Sequence, residues 1–338
     1  MTNYTDISAQ IEGDFIAMLD EYHSLQEVWD NELDTQLAKW YSNPPKVWPK
    51  RDYPYFSPSA ATVCPRAMYM KAIRAKKDAG KKPPHQSRSQ AIGTAIGDVM
   101  QREILAIERN LEKHTGNKPR FKFARNADSD GNPTTPLFED FAKKNHLVEY
   151  GGEKFYLYGC PDGVMEYVTD DGEVIRVGLE IKSKQQSPSA TSKRSMKQPS
   201  EAHLAQTAIY SLMYDCEYYI VLYVNGAKRA WDMSEEEYEN FPDIRAFCRK
   251  VHEAERKPIF DKFAKVAKAI REKNPPLPDL DEWKFNDYKT AIAESLSDDE
   301  MDEIKAQVRR MLKSGLPDWK KQNYYDAFEF IKSVREAD

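Results

Sequence analysis

The stretch that most constrains this chain is Tyr158 to Lys184, YGCPDGVMEYVTDDGEVIRVGLEIKSK. Two apolar-rich runs, 159–165 and 174–182, are joined through Asp170-Asp171-Gly172, a hairpin turn signal. Side chains alternate along a strand, so Glu180 and Lys182 share one face while Leu179 and Ile181 take the other. Asp162, near the start of the first run, is expected across from the polar face. Two carboxylates and an ammonium would then converge. Hard carboxylate oxygens suit Mg2+ or Mn2+. A divalent ion lowers the pKa of bound water, and a lysine beside it can orient that water and counter developing negative charge. The same spacing also fits a surface hairpin with a cross-strand ion pair of small energetic weight. The rest of the chain has to separate the two.

At 338 residues there is enough chain for one large domain or two. The net charge of -5 argues against coating nucleic acid by bulk charge and leaves room for a local basic groove. No apolar run is long enough for a membrane span, and the polar, acidic start MTNYTDISAQIEGDF does not read as a signal peptide. Cys64, Cys160, Cys216 and Cys248 form no CxxC pair, so a zinc site is not expected. Reduced thiols and a cytoplasmic location, in a bacterial or phage-infected cell, are expected instead.

Three segments are expected: a helical N-terminal arm (1–50), a core (51–232) and a helical C-terminal region (233–338). In the arm, Ile11, Phe15, Met18, Leu19, Tyr22, Leu25 and Val28 recur at helical spacing. Ser57 is a candidate N-cap, with Pro58 at the first helical position, for a helix carrying Cys64-Pro65-Arg66. From Arg66 to Arg88 cations, among them Lys71 and Arg74, face a single Asp78, which suits a phosphate backbone or a solvated helix face. The spacing predicts a helix over 90–111, with Gly93 and Gly97 on one side and Asp98, Gln101 and Arg102 on a polar one. Asp98 fits either a site or solvent. Residues 113–136 read as a polar loop. The calcium-type start at Asp128 fails, because Gly131 comes at the fourth position and Pro133 follows.

After Lys184, the run QQSPSATSKRSMKQPS, with Lys193 and Arg194, has the composition of a mobile loop able to clamp a nucleic-acid strand. A helix over 201–214 puts Gln206 and Tyr210 on one face. The apolar run 217–224 reads as a buried strand, and the strand, helix, strand order gives an α/β core. Beyond Ser234 helices are expected to dominate, with one or two long charged helices over 243–273.

Taken together, Pro161-Asp162, Glu180-Ile181-Lys182 eighteen residues after Asp162, Gln206 and Tyr210 as a QxxxY element, and Cys64-Pro65-Arg66 resemble the PD-(D/E)XK nuclease superfamily. The likeness is to its RecB-like exonuclease branch, phage-type and without the iron–sulfur cluster, and spans roughly residues 57–225. It implies a restriction-endonuclease-like α/β core, a central mixed sheet flanked by helices, with helical extensions at both ends. It implies a Mg2+- or Mn2+-dependent DNA exonuclease in recombination, repair or phage genome processing. Asp162, Glu180 and the Ile181 carbonyl would hold the metal, and Lys182 would position or activate water. Gln206 and Tyr210 would hold the strand and the catalytic groups. Arg66 would contact DNA or brace the core, with Lys71, Arg74, Lys184, Lys193 and Arg194 as further DNA contacts.

Two departures stand out. The GxxxH metal element of the branch is read here as Gly93 followed by Gly97, with either Asp98 standing in as the ligand or the site having one ligand fewer. Cys64 is present, but the Asp281–Tyr288 segment has no cysteine, so no cluster is expected and apolar packing around Trp283 and Phe285 would replace it. The implied partner is DNA, with a single-strand-binding or recombination protein and an oligomer both compatible with the sequence. The alternatives are a catalytically silent DNA- or partner-binding protein and a site-specific endonuclease.

Overall fold

The computed structural model describes residues 7–80, 82–227 and 229–337. The chain begins with α1 (Ser8–His23), α2 (Asn31–Ser42), β1 (Tyr55–Phe56), α3 (Pro65–Ala72) and α4 (Pro84–Thr115). Then come β2 (Phe121–Phe123), β3 (Arg125–Ala127), β4 (Pro133–Pro136), α5 (Glu139–Ala142), β5 (Lys144–Tyr150) and β6 (Glu153–Gly159). Next are β7 (Gly163–Val168), β8 (Val174–Lys184), α6 (Glu201–Tyr214), β9 (Tyr218–Asn225), α7 (Glu235–Asn240) and β10 (Ile244–Lys250). It ends with α8 (Lys257–Glu272), α9 (Lys289–Glu294), α10 (Asp298–Leu312) and α11 (Asp318–Glu336).

These elements form two compact units, each assembled from three separate stretches. The first takes the described residues of Met1–Trp48, Lys82–Lys144 and Gly159–Glu255. The second takes those of Pro49–Lys81, Asn145–Tyr158 and Arg256–Asp338. The units are interleaved where the sequence suggests contiguous segments divided near residues 50 and 232. Long-range strand pairing is the reason: β10 returns to β9, and β1 pairs with β6.

The first unit is α/β, with a five-stranded mixed sheet in the order β10-β9-β8-β7-β2. β8 and β9 run parallel, and the other neighbours are antiparallel. Helices α1 and α4 cover one face, closing a core that contains Phe15, Ile104, Phe121, Leu179 and Ile220. Helix α6 packs on β8 and β9, and the alternation of strand side chains places it against the opposite face. Gly178 is required by close approach: a Cβ there would come 2.1 Å from the Tyr219 ring. No helix among the described residues is long and apolar enough to cross a membrane.

Several local expectations are corrected. Residues 244–250 are a strand, not the start of a long helix, because their backbone fills the edge of apolar β9 from Ile244↔Val224 to Lys250↔Tyr218. The dense charge around them hides that role. The expected polar loop at 113–136 holds β2 in the main sheet and the β3–β4 hairpin, and Asp128 accepts from the backbone of Asp130 and Asn132 in its turn. The arm is two helices, the second capped by Asp30, and α1 is core, with Ile11, Phe15 and Leu19 fully buried. Ser57 makes no cap bond; its hydroxyl meets Ser59, and the helix proper begins at Pro65. Nor is 185–200 a loose loop. Asn225 Nδ2 donates to the Ser187 and Pro188 carbonyls, and Thr191 and Met196 are buried.

In the second unit, α3 and α8–α11 surround an apolar cluster that includes Cys64, Tyr69, Leu280, Trp283, Ile304 and Tyr324. Cys64 Sγ accepts from the Asp279 amide at 3.2 Å. Trp283 is buried there, but Phe285 is 92% exposed, so the packing expected of it does not form.

Candidate active site

β8 outruns its antiparallel partner. The β7–β8 register ends at Gly163↔Leu179, while β8 stays paired to β9 through Lys184↔Asn225. Pro161 has no N–H to extend the ladder. The Ile181 amide would be left without a partner on that side, and the Asp162 carboxylate takes it, accepting at 2.6 Å. The end of one ladder therefore delivers Asp162 to the segment that carries Glu180 and Lys182.

Glu180 and Lys182 project together from β8 toward α6. Lys182 Nζ lies 2.5 Å from Glu180 Oε1. Gln206 Nε2 donates to the same oxygen at 2.9 Å, and Lys182 Nζ is 3.5 Å from Gln206 Oε1. Glu180 is 2% exposed, and its Oε2 is buried with no hydrogen-bond partner. Burial and then the Asp162 charge push the Glu180 carboxyl up to about 8, against the pull of Lys182 and Gln206. Burial likewise raises Asp162, opposed by the Ile181 amide and Lys182. For Lys182, burial disfavours the charge, but attraction to Glu180 outweighs it and the net shift is upward. Tyr210, one turn beyond Gln206, is buried, and burial followed by the Glu180 charge raises its phenol. His203 on the same helix meets the Tyr223 hydroxyl at 2.7 Å and is lowered to about 4 by burial and by Lys182 and Lys184.

On the α4 side, Asp162, Ile181 and Ser183 line a cleft of about 560 Å³ with Gly93, Asp98, Gln101 and Glu139. Gln101 Nε2 donates to the Asp162 carbonyl at 2.7 Å, and its buried Oε1 has no partner. The Glu139 carboxyl is raised to about 7 by burial and then by Asp98, although the Tyr41 hydroxyl, 3.4 Å away, opposes the shift. Glu139 also holds a left-handed backbone, φ +44°. Sequence reading singled out neither Gln101 nor Glu139 as a site residue. The glycine element taken from Gly93 can be read one turn later, from Gly97, and that frame ends on Gln101. Glu139 belongs to no motif of its own; it is the first residue of the four-residue helix α5.

No known family model matches the chain, and no curated protein matches it. Solved structures to which the chain shows some similarity include SSO0001, 13% identical with a TM-score of 0.38, over 78% of this chain and 95% of that one. The alkaline exonuclease LHK-Exo from Laribacter hongkongensis is 10% identical with a TM-score of 0.35, over 65% and 89%. A phage related exonuclease from Haemophilus somnus 129PT is 11% identical with a TM-score of 0.29, over 64% and 80%. At this distance the overlaps carry no function across.

The donor set itself tests for a metal. Among the described residues, no three His, Cys, Asp or Glu side chains stand ready as a metal cluster. Asp162 and Glu180 nevertheless supply two carboxylates, and the unpartnered Glu180 Oε2 is a buried acceptor without a donor. Hard oxygens raised in pKa by burial fit a hard divalent cation, which favours their ionised forms.

The basic residues expected to bind DNA divide. Lys184 lies over the Tyr223 ring at 5.2 Å, and Lys193 and Arg194 are exposed on the pinned 185–200 segment. Lys71 and Arg74 belong to the second unit and line a pocket there. Of the two roles expected of Arg66, the DNA contact is corrected and the brace of a core is what forms: its side chain has no exposure, and its guanidinium binds Glu300 at 2.5 Å, the Pro276 carbonyl at 3.2 Å and Ser295 O and Oγ at 2.9 Å. No face is left for a phosphate.

Proposed function

We propose that the first unit is a metal-dependent deoxyribonuclease that hydrolyses phosphodiester bonds by in-line attack of water. One observation carries this reading: Asp162 is delivered to the Ile181 amide, beside a Glu180 already bound by Lys182 and Gln206. In this reading Asp162, Glu180 and the Ile181 carbonyl hold Mg2+ or Mn2+, with Asp98 as a further ligand from the cleft. When bound, the ion lowers the pKa of water and stabilises charge on the phosphoryl oxygens. Lys182 keeps its proton through Glu180 and orients the attacking water by donating to it. Gln206 fixes the Glu180 carboxylate, and Tyr210 supports that face of α6. Lys184, Lys193 and Arg194 contact the DNA backbone. The exonuclease assignment, and a role in recombination, repair or phage genome processing, rest on the motif resemblance.

The test offers purified protein end-labelled linear DNA and covalently closed circles, with Mg2+, Mn2+ or EDTA. Metal-dependent loss of linear DNA alone is the expected result. Cutting of closed circles would make it an endonuclease. Tight binding without cleavage under any metal would leave a binding module and sink the hydrolase.

The raised carboxyl has a consequence for stability. A group raised in the folded state stabilises fully below its unfolded pKa, near 4.5 for Glu180, and that contribution is lost as pH rises through about 8. The metal-free protein should therefore melt at progressively lower temperature across that window. Added Mg2+ should raise the melting temperature more at the alkaline end than at the acid end. Calorimetry with and without EDTA checks this, and equal Mg2+ stabilisation at both ends would rule out these carboxylates as ligands.

A further inference from the structure

The second unit contains its own cavity of about 370 Å³, within the range of small-molecule sites. Its lining includes Arg51, Lys71 and Arg74 together with the rings of Tyr53 and Tyr55. None of the three cations forms an ion pair with a carboxylate among the described residues. The acid in the lining, Asp52, accepts from the Tyr156 hydroxyl at 3.0 Å. Lys71 Nζ sits over the Tyr55 ring at 5.7 Å, and burial followed by the Lys77 charge pushes its ammonium down. Exposed positive charge at the rim of this cavity, beside aromatic faces, is the complement of an anion joined to a flat ring.

Arg74 adds an independent sign. It closes α3 at φ +59°, with Ala75 N donating to Met70 O at 2.9 Å and Arg74 N to Lys71 O at 3.2 Å. That cap position strongly favours glycine, which has no Cβ to strain. A long cation is held there against backbone preference and turned to the pocket, the pattern of strain retained at functional sites.

We infer that this cavity is a binding site for a free nucleoside monophosphate, its phosphate held by Lys71, Arg74 and Arg51 and its base stacked on Tyr53 or Tyr55. The inference is independent of the hydrolase reading, because binding is tested without metal. Isothermal titration of the full chain in EDTA uses AMP, adenosine, inorganic phosphate and a short oligonucleotide with a 5′-phosphate. Saturable AMP binding is expected, with adenosine and inorganic phosphate each weaker by about tenfold or more. Lys71→Met and Arg74→Gly should each weaken AMP by about tenfold. Arg74→Gly should melt no lower than the parent chain, because glycine relieves the cap, so its loss of affinity is not loss of fold. No saturation by millimolar AMP would overturn the site, as would unchanged affinity in both variants. Tighter binding of the phosphorylated oligonucleotide than of AMP would overturn the free-nucleotide assignment.

Discussion

Lys182→Met is expected to lower Mg2+-dependent cleavage of linear DNA by about 10²- to 10⁴-fold, the usual weight of a positioned proton-handling group. Methionine keeps most of the stem that packs along β8 and removes the charge that meets Glu180 at 2.5 Å. Far-ultraviolet circular dichroism should be unchanged. The effect belongs in the turnover number, because Lys182 is assigned to water and not to the DNA backbone. If Lys182→Met raised KM alone, the lysine would be a substrate contact and the role given to it would fail. Gln206→Ala should cost less, since Glu180 Oε1 would lose one of its two partners and keep the lysine.

Replacing Arg66 by alanine should destabilise the second unit by about 3–5 kcal/mol, the range for breaking a buried ion pair. Arg66 bonds to three separate places, the Pro276 carbonyl after α8, Ser295 at the end of α9 and Glu300 of α10, and Glu300 serves twice. One carboxylate oxygen meets Arg66, and the other accepts the Ser297 amide in the capping box that starts α10. Burial acts to raise the Glu300 carboxyl, but the bonds from Arg66 and Ser297 outweigh it and the net shift is downward. The sign follows: this contribution is present above the unfolded value of 4.5 and is lost as pH falls through the depressed folded value. Hydrogen exchange should show the loss of protection in α3 and α10. Were Arg66 a DNA contact instead, its removal would reduce the salt dependence of binding by about one phosphate and leave exchange unchanged.

The hairpin was legible because its determinants are local. Asp170-Asp171-Gly172 marks the turn, and alternation alone puts Glu180 and Lys182 on one face. Gln206 and Tyr210 followed from helical spacing, and the apolar run of β9 declared a buried strand. The mixed α/β character followed from the same periodicities. Residues 244–250 escaped because their strand state depends on an edge supplied by β9, and nothing in their own composition announces it. The 185–200 segment looked mobile because its small polar residues suit loops. Asn225, from the end of β9, pins it.

By itself, then, the sequence determined which side chains share a strand or a helix face, since those relations are set by backbone periods of two and 3.6 residues. Tertiary structure decided what meets across long separations. It set Asp162 on the Ile181 amide, placed Gln101 and Glu139 around the cleft, and sealed Arg66 against Glu300. Those choices depend on where a ladder stops and which buried charge needs a partner. Both are fixed only once distant segments have packed and excluded water.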